Sequence, residues 1–191
     1  MRGPLALLTV AIALGGCGAQ QGSLETAKPA AVQSAPQSVA IQDDQFKPYR
    51  EVATSEVRVG AFPNVLVMTL SARLDRASPK VQPMLRVEIG YVARAKRTYD
   101  TVRNTAAEQL RHDNVASNAR CKPGVECTYS EILQIQLPEP ALRQAKVTGY
   151  RMKLFARNGP AIEIGIPGVQ ITALFDKVDA ATAVPAKAAK R

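Results

Sequence analysis

Apolar and polar residues alternate strictly through the middle of the chain. Leu85, Val87, Ile89, Tyr91 and Ala93 share one parity, and Arg86, Glu88 and Arg94 take the other. Upstream, Val57 and Val59 begin an alternation before the turn expected at Pro63-Asn64. Leu66, Met68, Leu70, Ala72 and Leu74 then oppose Thr69, Ser71 and Arg73. Downstream, Tyr150, Met152 and Leu154 oppose Arg151 and Lys153, and Ile162, Ile164 and Ile166 flank Glu163. A period of two with one apolar face marks antiparallel strands covered on one side. Two such sheets facing each other bury both faces, so the expected fold is mainly β, an antiparallel β-sandwich.

Helical spacing appears in two places. Ile171, Leu174, Phe175 and Val178 after Pro167-Gly168 predict a short helix capping one end of the sandwich. Residues 140–145 predict another, with Pro140 at its first position. Arg97 to His112 fits a helix (Tyr99, Val102, Ala106, Leu110) or a strand followed by a loop (Tyr99, Thr101, Arg103). The aromatic and β-branched residues at its start favour the strand first.

The patterned region runs from 41 to 178. Residues 17–40 are rich in Ala, Gln, Ser and Pro, lack apolar periodicity and read as a flexible linker. Residues 179–191 form an Ala-rich basic tail, expected to be disordered, with Lys187, Lys190 and Arg191. Residues 1–16 read as a signal peptide: Met1-Arg2 is followed by an apolar run from Leu5 to Leu14, about half the ~20 residues of a bilayer-spanning helix. The order Leu14-Gly15-Gly16-Cys17 resembles the lipobox of bacterial lipoproteins. That resemblance implies cleavage before Cys17 and acylation of its sulfur and new amino group, which anchors a protein stably in a membrane. Gly18 stands where lipoproteins kept at the inner membrane carry Asp. The resemblance therefore implies the outer membrane, with the domain facing the periplasm.

Composition adds limits. Hydrophobic residues make up 46% of the 191, enough for a packed core. The net charge of +9 favours anionic neighbours. The absence of Trp and an aromatic share of 5% argue against a base-stacking surface, and export argues against nucleic acid. Arg86, Arg94, Arg151, Lys153 and Arg157 all lie on polar strand faces. They form one cationic patch if their strands are neighbours and a diluted solvated face if they are not.

Export also sets the redox state of Cys121 and Cys127. Pro123-Gly124 between them suits a tight turn, so the pair is expected to close the neck of a hairpin as a disulfide. A redox-active pair is spaced Cys-x-x-Cys, and a zinc site needs three or four ligands whereas His112 is the one histidine. No metal or cofactor is expected. Glu131 breaks its strand's pattern, falling on the apolar parity with Tyr129, Leu133, Ile135 and Leu137. An unpaired carboxylate there is costly. Either a bulge shifts the register, or Glu131 sits near a sheet end, or it pairs with an arginine such as Arg97 or Arg103.

Cys121-x5-Cys127-x-Tyr129-x-Glu131, the Leu137-Pro138 break, Leu142 and Gly149 resemble an uncharacterised bacterial envelope domain of β-sandwich type, which carries no assigned activity. The resemblance implies the fold alone. The chain has no Ser-x-x-Lys, Gly-x-Ser-x-Gly, His-Glu-x-x-His or Gly-rich phosphate loop. The functional expectation is a lipid-anchored, non-catalytic binding or structural accessory that meets an envelope protein or an anionic envelope polymer. The alternatives are a carrier of a small apolar ligand between the sheets and an enzyme without a recognisable motif.

Overall fold

Where the alternation is strictest, the strands are longest. In the computed structural model, which describes residues 38–61, 64–122, 124 and 126–183, Val81–Ala93 forms a thirteen-residue strand. The lipobox with Cys17, most of the linker, the last eight residues, Pro63 and Pro123 lie outside the described residues. In chain order the elements are β1 (Val39–Gln42), β2 (Tyr49–Thr54), β3 (Val57–Ala61), β4 (Asn64–Asp75), β5 (Val81–Ala93), β6 (Tyr99–Asn104), β7 (His112–Arg120) and β8 (Cys127–Gln136). Then follow α1 (Glu139–Gln144), β9 (Tyr150–Ala156), β10 (Ile162–Ile166) and α2 (Gly168–Ala183).

Seven strands make one antiparallel sheet in the order β1-β2-β4-β5-β8-β7, with β3 beside β2 on the same edge of β4. The other three make a second antiparallel sheet, β10-β9-β6. Register places apolar residues opposite one another: Leu70 faces Leu85 across β4 and β5, and Leu85 faces Ile135 across β5 and β8. These side chains, with Val102, Met152, Leu154 and Ile164 of the small sheet, belong to one buried cluster. The two inner faces thus enclose a common core, as the period-two pattern requires.

The stretch that fits either periodicity is a strand followed by a loop. A bulge at Asp100 shifts the β6–β9 register, pairing Tyr99 with Ala156 and Thr101 with Phe155. One extra residue therefore separates two inward side chains, Tyr99 and Val102, and imitates the i, i+3 spacing of a helix.

α2 buries the expected stripe of Ile171, Leu174, Phe175 and Val178. It does not cap an end of the sandwich. Gln170 near its start meets Thr54, and Ala181 near its finish accepts a bond from Arg50, so the helix runs antiparallel to β2. It covers the part of the large sheet that the three-stranded sheet leaves open, and it continues to Ala183, past the boundary expected at Val178. α1 starts one residue earlier than expected, at Glu139, which puts Pro140 at its second position. Arg143 ties the two helices: it bonds Glu139 at 2.8 Å and Asp179 at 3.0 Å, with its guanidinium 4.1 Å above the Phe175 ring.

Cys121 and Cys127 form a disulfide with Cα atoms 4.2 Å apart, closing the neck of the β7–β8 hairpin. Gly124 between them takes φ +73°, the left-handed region that suits glycine in a tight turn.

Candidate functional site

Glu131 sits in the middle of β8, opposite Ile89 on β5 and Ser117 on β7. The β5–β8 register is unbroken around it, so its side chain points into the core and is 0% exposed. Three groups meet its carboxyl. The Tyr91 hydroxyl donates to one oxygen. Asn114 donates to the other at 3.2 Å, and the Lys96 ammonium lies 3.9 Å from that same oxygen. The cation is thus Lys96, neighbour to the expected Arg97. Arg103 is not near: it projects from the outward face of β6, where it is exposed. Lys96, just past β5, reaches Glu131 through the β5–β8 pairing, and Asn114 reaches it across the β7–β8 hairpin, where a register shift between Asn114 and Ala116 hides the match from simple counting.

Tyr91 links this carboxyl to the next cation. Its ring stacks on Tyr129 with centroids 5.2 Å apart, and its hydroxyl accepts the Arg97 backbone N–H at 2.8 Å. The Arg97 guanidinium lies 4.4 Å from the Tyr91 ring centroid, a cation–π contact. Burial pushes the Tyr91 hydroxyl well above the ordinary tyrosine range, and the bond to Glu131 adds to the shift. Burial also raises Tyr99, an effect that Arg97 beside it partly offsets, and raises Tyr150.

The sheets part at the end where Arg97 lies. Val59, Leu66 and Ile89 from the large sheet, Pro160 in the β9–β10 connection and Ile162 of β10 line a cleft of about 420 Å³. Arg97 stands in its wall and Glu163 at its rim.

A different concavity lies on the outward face of the small sheet. Arg103, Arg151, Lys153 and Phe155 surround a groove of about 340 Å³, with Glu163 as its one carboxylate. Arg103 faces Lys153 directly across the β6–β9 pair. Like charges so placed are destabilising; Glu163 stands across from Lys153 on β10, but neither cation has a carboxylate within ion-pair distance among the described residues. Arg151 approaches Glu163 at 3.8 Å.

Of the five cations singled out in the sequence, Arg151 and Lys153 therefore share one groove. Arg157 lies at the end of the same face but pairs with Asp100 at 3.1 Å. Arg86 projects from the outer face of the large sheet, and Arg94, just past β5, lies 3.9 Å from Glu126. Arg103 takes the place that Arg86 and Arg94 leave in the patch. The pairing of β6 with β9 brings it there across more than 45 residues of chain, which no local pattern reveals.

His112 opens β7 and donates from Nε2 to the Tyr99 carbonyl at 3.3 Å, joining the two sheets. Among the described residues, no three His, Cys, Asp or Glu side chains converge as metal ligands, and no helix is long and apolar enough to cross a membrane. The chain matches no family model, no curated protein and no solved structure.

Proposed function

We propose that this chain is a lipid-anchored, non-catalytic binding accessory of the bacterial cell envelope, held through Cys17 and facing the periplasm. Its contact surface is the outer face of the three-stranded sheet, and its partner is an anionic envelope polymer. The observation that carries this reading is the opposition of Arg103 and Lys153, flanked by Arg151 around a groove where Glu163, across from Lys153 on β10, is the one carboxylate against three cations. A cross-strand pair of like charges costs stability, and a bound polyanion relieves that cost. Phe155, part exposed beside Lys153, gives the groove an apolar floor against which a flexible chain can settle. The long Ala/Gln/Ser/Pro segment before the domain supports the same reading, since a coil of its length reaches well beyond the lipid headgroups.

The test is titration of the full chain with long-chain polyphosphate, a linear phosphate polymer. Arg103→Gln with Lys153→Gln is expected to weaken binding about tenfold or more, the cost of losing charged contacts. Arg86→Gln with Arg94→Gln, which removes the same charge from elsewhere, is expected to change it little. Equal losses from the two pairs would reduce the effect to net charge and overturn the groove.

A further inference from the structure

Arg97 is held more firmly than a surface arginine needs to be. Its backbone N–H is fixed to the Tyr91 hydroxyl, itself fixed to Glu131. Asn158, in the β9–β10 turn, bonds the segment on both sides, accepting from Thr98 N–H at 2.9 Å and donating to the Lys96 carbonyl at 2.6 Å. One face of the guanidinium lies over the Tyr91 ring. Across the side chain lies Gly159, so closely that a Cβ there would come within 2.9 Å of Arg97 Cδ and 3.1 Å of Nε. The glycine therefore gives the arginine room to lie flat. A cation clamped in this way would ordinarily have a carboxylate to meet, but no carboxylate lies within ion-pair distance of Arg97 among the described residues. What it does meet is the Tyr99 hydroxyl beside it and the cleft between the sheets, whose other walls include Val59, Leu66, Ile89, Pro160 and Ile162. Glu163, the carboxylate that also lines this cleft, lies 3.8 Å from Arg151.

We infer that this cleft binds an amphiphilic anion, with the carboxylate or phosphate head on Arg97 and the hydrocarbon chain between the sheets. An apolar chain alone gains nothing from a fixed guanidinium, and a bare anion gains nothing from five apolar walls. The volume of about 420 Å³ falls within the ~300–1,000 Å³ of small-molecule sites. A preorganised guanidinium presents paired donors to either oxyanion without the entropy of ordering a free side chain. This cleft adjoins the outer groove at Glu163, which lines both, but Arg103 and Lys153 do not line it.

The experiment is calorimetric titration of the full chain with dodecanoate, dodecyl phosphate and dodecanol, and with acetate and inorganic phosphate as heads without tails. Saturable binding of dodecanoate or dodecyl phosphate is expected, and whichever binds tighter identifies the head. Arg97→Gln should weaken that ligand about tenfold or more while leaving dodecanol unchanged. Gly159→Ala, which keeps the charge but displaces it, should weaken the anionic amphiphile several-fold, and Leu66→Trp should fill the cleft and abolish all binding. Arg103→Gln with Lys153→Gln should have no effect, so failure here is distinguishable from failure of the polymer reading. No saturable binding of either amphiphile, undiminished binding by Arg97→Gln, or acetate or phosphate binding as tightly as its dodecyl counterpart would overturn the inference.

Discussion

The Tyr91 hydroxyl serves two neighbours, donating to Glu131 and accepting from the Arg97 N–H. Removing it strands a buried carboxyl with one partner fewer, so Tyr91→Phe is expected to lower stability near neutral pH by about 2 kcal/mol. The raised folded value of Tyr91 fixes how that difference varies with pH. Below about pH 10, the ordinary tyrosine value, folded and unfolded states both keep the proton and the difference is flat. Above it the unfolded state loses the proton that the folded state still holds, and stability falls as pH rises. Denaturant midpoints of wild type and Tyr91→Phe should therefore stay a constant distance apart up to about pH 9 and converge above about pH 10. A gap that stays constant through about pH 11 would show an ordinary hydroxyl at Tyr91.

Among the elements, the joint between β2 and β3 depends most on one side chain. The β2–β4 ladder ends at Ala53–Ser71 and the β3–β4 ladder begins at Val57–Met68, leaving Leu70 without a backbone partner in either ladder. The Thr54 hydroxyl replaces that partner: it donates to the Leu70 carbonyl at 3.1 Å and accepts the Leu70 N–H at 3.3 Å. It also accepts the Gln170 amide at 2.8 Å, which sets α2 on the sheet. Thr54→Val keeps the shape and removes all three bonds. It is expected to cost about 2–4 kcal/mol, the desolvation of buried groups left unpaired, measured by equilibrium denaturation. A cost within that of an exposed substitution, about 0.5 kcal/mol, would show that the joint is held by packing alone. How much was legible in the sequence divides along the same line. β4, β5, β8, β9 and β10 could be read because each buries one face without interruption, so parity and burial coincide. β6 could not be assigned firmly, because the extra residue at Asp100 makes a strand resemble a helix. The apolar stripe of α2 was visible, but a stripe does not say which layer it lies on. That depends on how far the small sheet extends. Glu131 was conspicuous as a misfit, whereas Tyr91 and Lys96 became its partners through the long-range β5–β8 pairing, and Asn114 through a hairpin whose register shifts next to it.

At the scale of the whole molecule, the two layers divide the work. The large sheet and α2 supply most of the core and hold Glu131, which in turn steadies the Tyr91–Arg97 corner between the sheets. The small sheet carries an excess of cations outward and completes the inner cleft. Only three strands wide, it depends on the large sheet for its core, so changes at the layer boundary should act on both proposed sites together. The disulfide closes the β7–β8 hairpin at an edge of the large sheet. For so small a loop the chain-entropy contribution is roughly 2–2.5 kcal/mol. Both proposed ligands, a polyanion and an amphiphilic anion, belong at a membrane surface, so the account rests above all on where the chain is held. That is tested by fractionating cells that express the full chain or Cys17→Ser, washing the membranes with high salt to strip electrostatic contacts. Wild type is expected to remain in the washed membranes and to carry the added mass of acyl chains, and the variant to be released as soluble protein. Cys17→Ser protein that stays with the membranes, or wild type that is unacylated and soluble in the cytosol, would contradict this anchoring.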